Sequence, residues 1–199
     1  MKVRLIGISL LICVAFACPT SAQTNSLQTD RPASPTLETA MANEDPAARI
    51  STLQQFLKTR PAAEEADAAR EAIVASWAQL GETQLNENNI EKAAANFRKS
   101  VAALPEKITD RFFAETVIRI PLAVSVRGYR AEAIELARQL EKRFAKEAPR
   151  MAALGEFFMT IEAPTDAIRA LEAAAKLADE DARLHNTLGA AYRMGLRLD

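Results

Sequence analysis

The sequence predicts an all-α protein built from short helices stacked in antiparallel pairs, and three observations carry that prediction. From Glu44 onward, apolar residues recur at helical spacing, in runs regularly punctuated by Pro, Asn and Gly. Period-two clusters of Val, Ile and Thr are missing, so no β-sheet is expected. Small residues recur 34 residues apart, the mark of a repeated structural unit.

Residues 1–22 stand apart from this pattern. Lys2 and Arg4 precede an apolar run of thirteen residues, Leu5 to Ala17. Such a run is short for a membrane span and typical of a signal peptide. Thr20, Ser21 and Ala22 offer a cleavage site, giving an exported chain, periplasmic or secreted, that starts at Gln23. The alternative is lipidation of Cys18, because Ala17 precedes it as in bacterial lipoprotein signals, although Phe16 and Ala15 fit that pattern poorly. A membrane association is expected only in that case or with an uncleaved anchor. Cys13 and Cys18 both lie in this segment, so the processed chain has no cysteine for a disulfide, thiolate metal site or nucleophile.

Without Lys2 and Arg4 the chain carries 23 basic and 26 acidic residues, a net charge of −3. That balance offers no basic face for nucleic acid. At 49% hydrophobic residues there is enough apolar material for one continuous core.

Residues 23–43 are rich in Ser, Thr, Asn and Pro and read as a flexible polar leader. A helical domain over 44–199 follows. Asp45-Pro46 makes a cap and first-turn pair for a helix to about Arg60. Pro61 opens a longer helix to about Asn86, and Asn89 caps the next, which ends before Pro105. Further helices are expected at about 110–127, 130–146, 149–162, 165–178 and 181–194. Gly128 and Gly195 sit at helix ends, with Thr165 and either Asp179 or Glu180 at starts.

Gly155 and Gly189 are 34 residues apart, in "LGEFF" and "LGAAY", and Ala133 and Ala167 are 34 apart, each followed by Ile. Gly81 precedes Gly155 by 74 residues, two periods plus six, and the extra six fall in "EKITDR" after Pro105. On these residues the chain resembles tetratricopeptide repeats. "WAQLGETQLNENNIEKAAANFRKSVAALP" has the family pattern with Trp77, Leu80, Gly81, Ala93, Phe97 and Pro105, departing at Gln84, where an aromatic is usual. Units start at about 74, 114 and 148, with a degenerate helix pair at 44–73 and a half unit at 182–199. The second unit carries Pro121 where the first-helix Gly belongs.

The resemblance implies a right-handed superhelix whose inner groove is lined by the first helix of each unit. Gly81, Gly155 and Gly189 would permit close helix approach against small residues such as Ala93 and Ala167. Trp77, Phe97, Phe158 and Tyr192 would fill the wider gaps. His185, the single histidine, aligns with Trp77 and is expected to pack between helices. Phe112, Phe113 and Phe157 are further core candidates. The run "RQLEKRFAKEAPR" has interleaved Glu141 and Glu147 and reads as a solvated face.

No H-E-x-x-H, G-x-S-x-G or phosphate-cradling Gly loop is present, and the carboxylate pairs Glu64/Glu65 and Glu132/Glu135 are neighbours on helices rather than groups held across a pocket. No enzyme, metal or cofactor is expected. The groove lining implied by the resemblance is Ala78, Glu82, Leu85, Ile118, Leu122, Ser125, Ala152, Glu156, Met159, Asn186 and Arg193. Positions where chaperone-binding members carry Lys, Asn and Arg for a terminal carboxylate hold mostly Ala, Glu or Ile here. An extended peptide or a partner helix is then the expected ligand. A lipid-anchored envelope assembly factor is the alternative, and a helical enzyme or small-ligand receptor using the groove is the alternative of another class. On the last helix, Leu188, Gly189, Tyr192, Leu196 and Leu198 form a face that an array ending there would be expected to make polar. The expectation is a longer repeat protein, or a partner that supplies the missing helix, with self-association through this helix as one form of it.

Overall fold

Local chemistry sets most of the helix ends. The computed structural model describes residues 35–198, with side chains to Leu196; the expected signal segment, Cys18 and most of the leader lie outside them. Among the described residues the secondary structure is helical, with no strand. The order is α1 (Leu37–Met41), α2 (Pro46–Lys58), α3 (Ala63–Asn86), α4 (Ile90–Ala102), a short α5 (Asp110–Phe112) running into a π-turn (Phe113–Val117), α6 (Arg119–Val126), α7 (Arg130–Arg143), α8 (Ala148–Thr160), α9 (Pro164–Leu177) and α10 (Ala182–Leu198).

Asp45 accepts from the backbone N–H groups of Ala47 and Ala48, and Asn89 from that of Lys92, fixing the starts of α2 and α4. Gly128 follows α6 with φ +84°, a left-handed conformation that glycine adopts without a Cβ penalty. Arg60, Asn88 and Glu162 take the same region after α2, α3 and α8.

Several expected boundaries differ. The leader is not structureless throughout: Thr36 and Thr39 form a reciprocal cap on α1, and Ala40 is fully buried. The boundary at residue 73 falls inside α3, an Ala-rich helix with no break there, so 44–73 is α2 plus half of α3. Asp181, rather than Asp179 or Glu180, caps α10, accepting from the N–H groups of Arg183 and Leu184. Gly195 does not end that helix. It lies within α10, where a Cβ would stand 3.3 Å from Ile168 Cδ1, so its smallness serves the approach to α9.

The π-turn has a sequence cause. Pro121 has no N–H to give the carbonyl four residues earlier, and its ring crowds that carbonyl. The helix before it widens, and Ile118 donates to the Phe113 carbonyl, five residues back, at 3.0 Å.

Consecutive helices pack on one another: α2 on α3, α3 on α4, α6 on α7, α8 on α9 and α9 on α10. Helices further apart in sequence also meet, α3 with α6, α4 with α7 and α8 with α10. One apolar cluster joins α1, α2 and the first half of α3 through Ala40, Leu53, Phe56 and Ile73. A larger one runs from Val74 to Ala191 and includes Phe97, Phe144, Phe158 and Leu171. Within it the glycines act as contact points. A Cβ on Gly81 would lie 2.5 Å from the Phe97 ring, and one on Gly155 would lie 2.5 Å from Leu171 Cγ. Ala93 and Ala167 are fully buried.

Four expectations about packing fail. Trp77 is only half-buried, with the Lys99 ammonium 4.5 Å above its ring, a cation–π arrangement at the rim of the smaller cluster. His185 is exposed and bonds through Nε2 to the Asp179 carbonyl at 2.6 Å; Leu184, one residue earlier, takes the buried slot. Tyr192 is 43% exposed, its hydroxyl donating to Glu172.

The run from Arg138 to Arg150 is the fourth and fails in part: Arg138, Lys142 and Lys146 are exposed as expected, but Arg143 and Arg150 join elements. Arg143 donates to the Pro105 carbonyl. Arg150 is buried, donating to the Ile108 carbonyl at 2.7 Å, paired with Glu147, and lying over the rings of Phe113 and Phe144. Together they pin the connection between α4 and α5 to α7 and α8.

Candidate partner-binding surface

The candidate residues sort into three shallow depressions along α3, α6, α8 and α10. The first lies between α3 and α6, lined by Glu82, Leu85, Asn86, Arg119, Leu122, Ala123, Val126 and Arg127. The second shares Leu122 and Val126 and continues past Ser125, Gly128 and Arg130 to Thr160, Ile161 and Glu162 at the end of α8. The third lies between α8 and α10, where Ala152, Ala153 and Glu156 face Leu184, Thr187, Asp181 and Arg183.

Helical geometry explains this selection. Glu82, Leu85 and Asn86 are spaced three and four apart on α3, as are Arg119, Leu122, Ala123 and Val126 on α6, so each set occupies one stripe. Glu82, Leu122, Ser125, Ala152 and Glu156 are thereby placed in depressions. Leu85 is there as a floor, since it is 3% exposed. Ala78 belongs to the core, and Ile118 and Met159 are half-buried against it, so these three are corrected from groove lining to packing.

On α10 the expected phase is one residue out. Arg183, Leu184 and Thr187 face α8, whereas Asn186 and Arg193 are exposed and line none of the three depressions. The slip follows from taking the position shared by Trp77 and His185 as the buried one, when the residue before each, Ser76 and Leu184, is buried.

Sequence reasoning missed Arg119, Val126, Arg127, Arg130 and Ile161. A signal was available: between Arg119 and Ala131 there are three arginines and no carboxylate. Arg130 donates to the carbonyls of Ile161 and Glu162, and Arg127 to the Asn86 side chain. Leu122 is 39% exposed and Val126 76%, so apolar side chains face solvent between these cations.

A further cleft, lined by Arg138, Glu141, Lys142, Ala145, Met151, Arg169 and Ala173, lies over α7 and α9. Apart from Lys142, its charged groups are paired within the chain. Arg138 grips Asp166 through two hydrogen bonds at 2.9 and 3.1 Å, and Arg169 bridges Asp166 and Glu141. Burial pushes the Asp166 carboxyl up, but the hydrogen bonds from Arg138 and Arg169 outweigh it and hold the group below the usual carboxylate range. The hydrogen bond to Asp166 raises the Arg138 guanidinium in turn. A network this fully paired ties α7 to α9 and has little left for a ligand.

Among the described residues, no three His, Cys, Asp or Glu are grouped to hold a metal ion, and no helix is long and apolar enough to cross a membrane. In comparison with known proteins, no family model matches this chain and no curated sequence is similar to it.

Proposed function

We propose that this chain is a tetratricopeptide-like stack of helix pairs, exported to the periplasm or secreted, that binds a peptide or partner helix along the face made by α3, α6, α8 and α10. One observation carries the reading: side chains from helices distant in sequence line successive depressions on one set of helices, with exposed Leu122 and Val126 between charged rims. Mixed apolar and charged clefts of this kind suit segments that lay alternate side chains into pockets. The pairing of Arg138, Arg169, Asp166 and Glu141 over α7 and α9 favours this face over that cleft.

Glu82 and Glu156 are exposed, so replacing both by Lys is expected to leave helicity and melting nearly unchanged while altering partner capture. Circular dichroism and a pull-down from the native envelope test this. Unfolding of the double variant contradicts the assigned face, and retention of every partner contradicts the binding role. The export part of the proposal rests on residues 1–22. Mass spectrometry of the mature N-terminus is expected to find Gln23, and diacylglycerol on Cys18 would replace the freely soluble form by a lipid-anchored one.

A further inference from the structure

We infer that the segment bound at α6 is acidic and aliphatic: an internal stretch of a partner chain that sets Leu, Ile or Val against Leu122, Val126 and Ile161 and carboxylates against Arg119, Arg127 and Arg130. The inference rests on the binding face proposed above and names the chemistry of its occupant. The first two depressions meet at Leu122 and Val126, so they form one continuous site. Its apolar part, Leu85, Leu122, Ala123, Val126 and Ile161, is bordered by three arginines against two carboxylates, Glu82 and Glu162.

None of the three arginines is ion-paired among the described residues, so no carboxylate of the chain neutralises them there. The hydrogen bonds of Arg127 and Arg130 go to neutral groups, an amide side chain and two backbone carbonyls, which orient the guanidinium groups without cancelling their charge. Arg119 makes no such bond. Three cations, two of them held by hydrogen bonds, beside solvent-facing aliphatic side chains attract carboxylates in register with an apolar anchor, and repel a basic segment. The neighbouring depression between α8 and α10 has the opposite excess, Glu156 and Asp181 against Arg183, so the acidic part of the occupant belongs at α6 and not along the whole face.

Selection of random twelve-residue peptides against the purified full chain tests this, with the peptides displayed through their C-termini so that no free terminal carboxylate is offered. The expected winners combine Asp or Glu with Leu, Ile or Val. Fluorescein-labelled copies should bind about tenfold more weakly to Arg119→Glu/Arg127→Glu, and should also weaken with Leu122→Ser/Val126→Ser, both pairs being surface changes checked by circular dichroism. Winners without an acidic excess, or affinity unchanged in the arginine pair, overturn the assigned chemistry; if such peptides still weaken with the Leu122/Val126 pair, the binding face itself survives. Winners indifferent to both pairs, or no enrichment, overturn the inference and the binding face together.

Discussion

Helices α8 and α10 carry the same Leu-Gly pair, Leu154-Gly155 and Leu188-Gly189, and use it differently. On α8, Leu171 of α9 closes over Gly155 so tightly that a Cβ there would sit 2.5 Å from its Cγ. On α10 the nearest such atom to Gly189 is Arg193 Nη1, at 3.7 Å, from the next turn of the same helix. Leu154 is fully buried while Leu188 is only partly so, and beyond it Tyr192 and Leu196 are 43% and 78% exposed. Glycine inside a helix costs stability relative to alanine, and only a close approach by another helix offsets that cost. The comparison teaches that the repeated glycine marks a close-approach position, filled on α3 and α8 and, among the described residues, open on α10.

Substituting the same residue at each position sharpens the contrast. Gly155→Ala is expected to cost about 3 kcal/mol and Gly81→Ala about 2 kcal/mol, because Leu171 and Phe97 are fully buried and have little room to retreat. Chemical denaturation measures both. A neutral result at Gly155 would break the comparison at its firmest point.

The ion-pair network on α9 gives the next largest effect. Asp166→Asn should destabilise by about 2 kcal/mol at neutral pH, less than a fully buried pair because Arg138 and Arg169 are each 46% exposed. The folded Asp166 carboxyl is depressed below its ordinary 3.8, so its contribution is present above that pH and lost as the pH falls through the lower, folded value. Wild type and variant should therefore converge in stability at the acid end of a pH series. A gap that persists unchanged below pH 3.8 would mean that Asp166 acts by shape and not by charge.

The smallest effect has the opposite sign. Gly189→Ala should stabilise by about 1 kcal/mol, the helix-propensity gain with no clash against it. Measured destabilisation would show that something not seen among the described residues covers α10.

How much of this was legible beforehand depended on whether the cause was local. Asp45, Asn89 and Gly128 act on their own helix ends and could be read directly. Gly81 and Gly155 were legible because their spacing repeats. The bonds of Arg143 to Pro105 and of Arg150 to Ile108 span 38 and 42 residues, and no local pattern announces them. For the same reason Arg143 and Arg150 read as part of a solvated face, which holds for Arg138, Lys142 and Lys146 of the same run. At the proposed binding face the stripes on α3 and α8 followed from helical period, but the phase of α10 turned on whether Leu184 or His185 was buried, which only packing decides. The arginines around α6 were visible as a carboxylate-free run; their convergence on Leu122 and Val126 was not.

The central claim is that one set of helices, and not the other, meets the partner. Photocrosslinking amino acids placed singly at Glu82, Leu122 and Glu156, and for comparison at Arg98, Glu135 and Lys176 on α4, α7 and α9, test it most directly, since all six side chains are exposed. Irradiated in the native host, the first three positions are expected to give discrete adducts with a shared partner and the second three none. Adducts confined to Arg98, Glu135 and Lys176 would contradict the account.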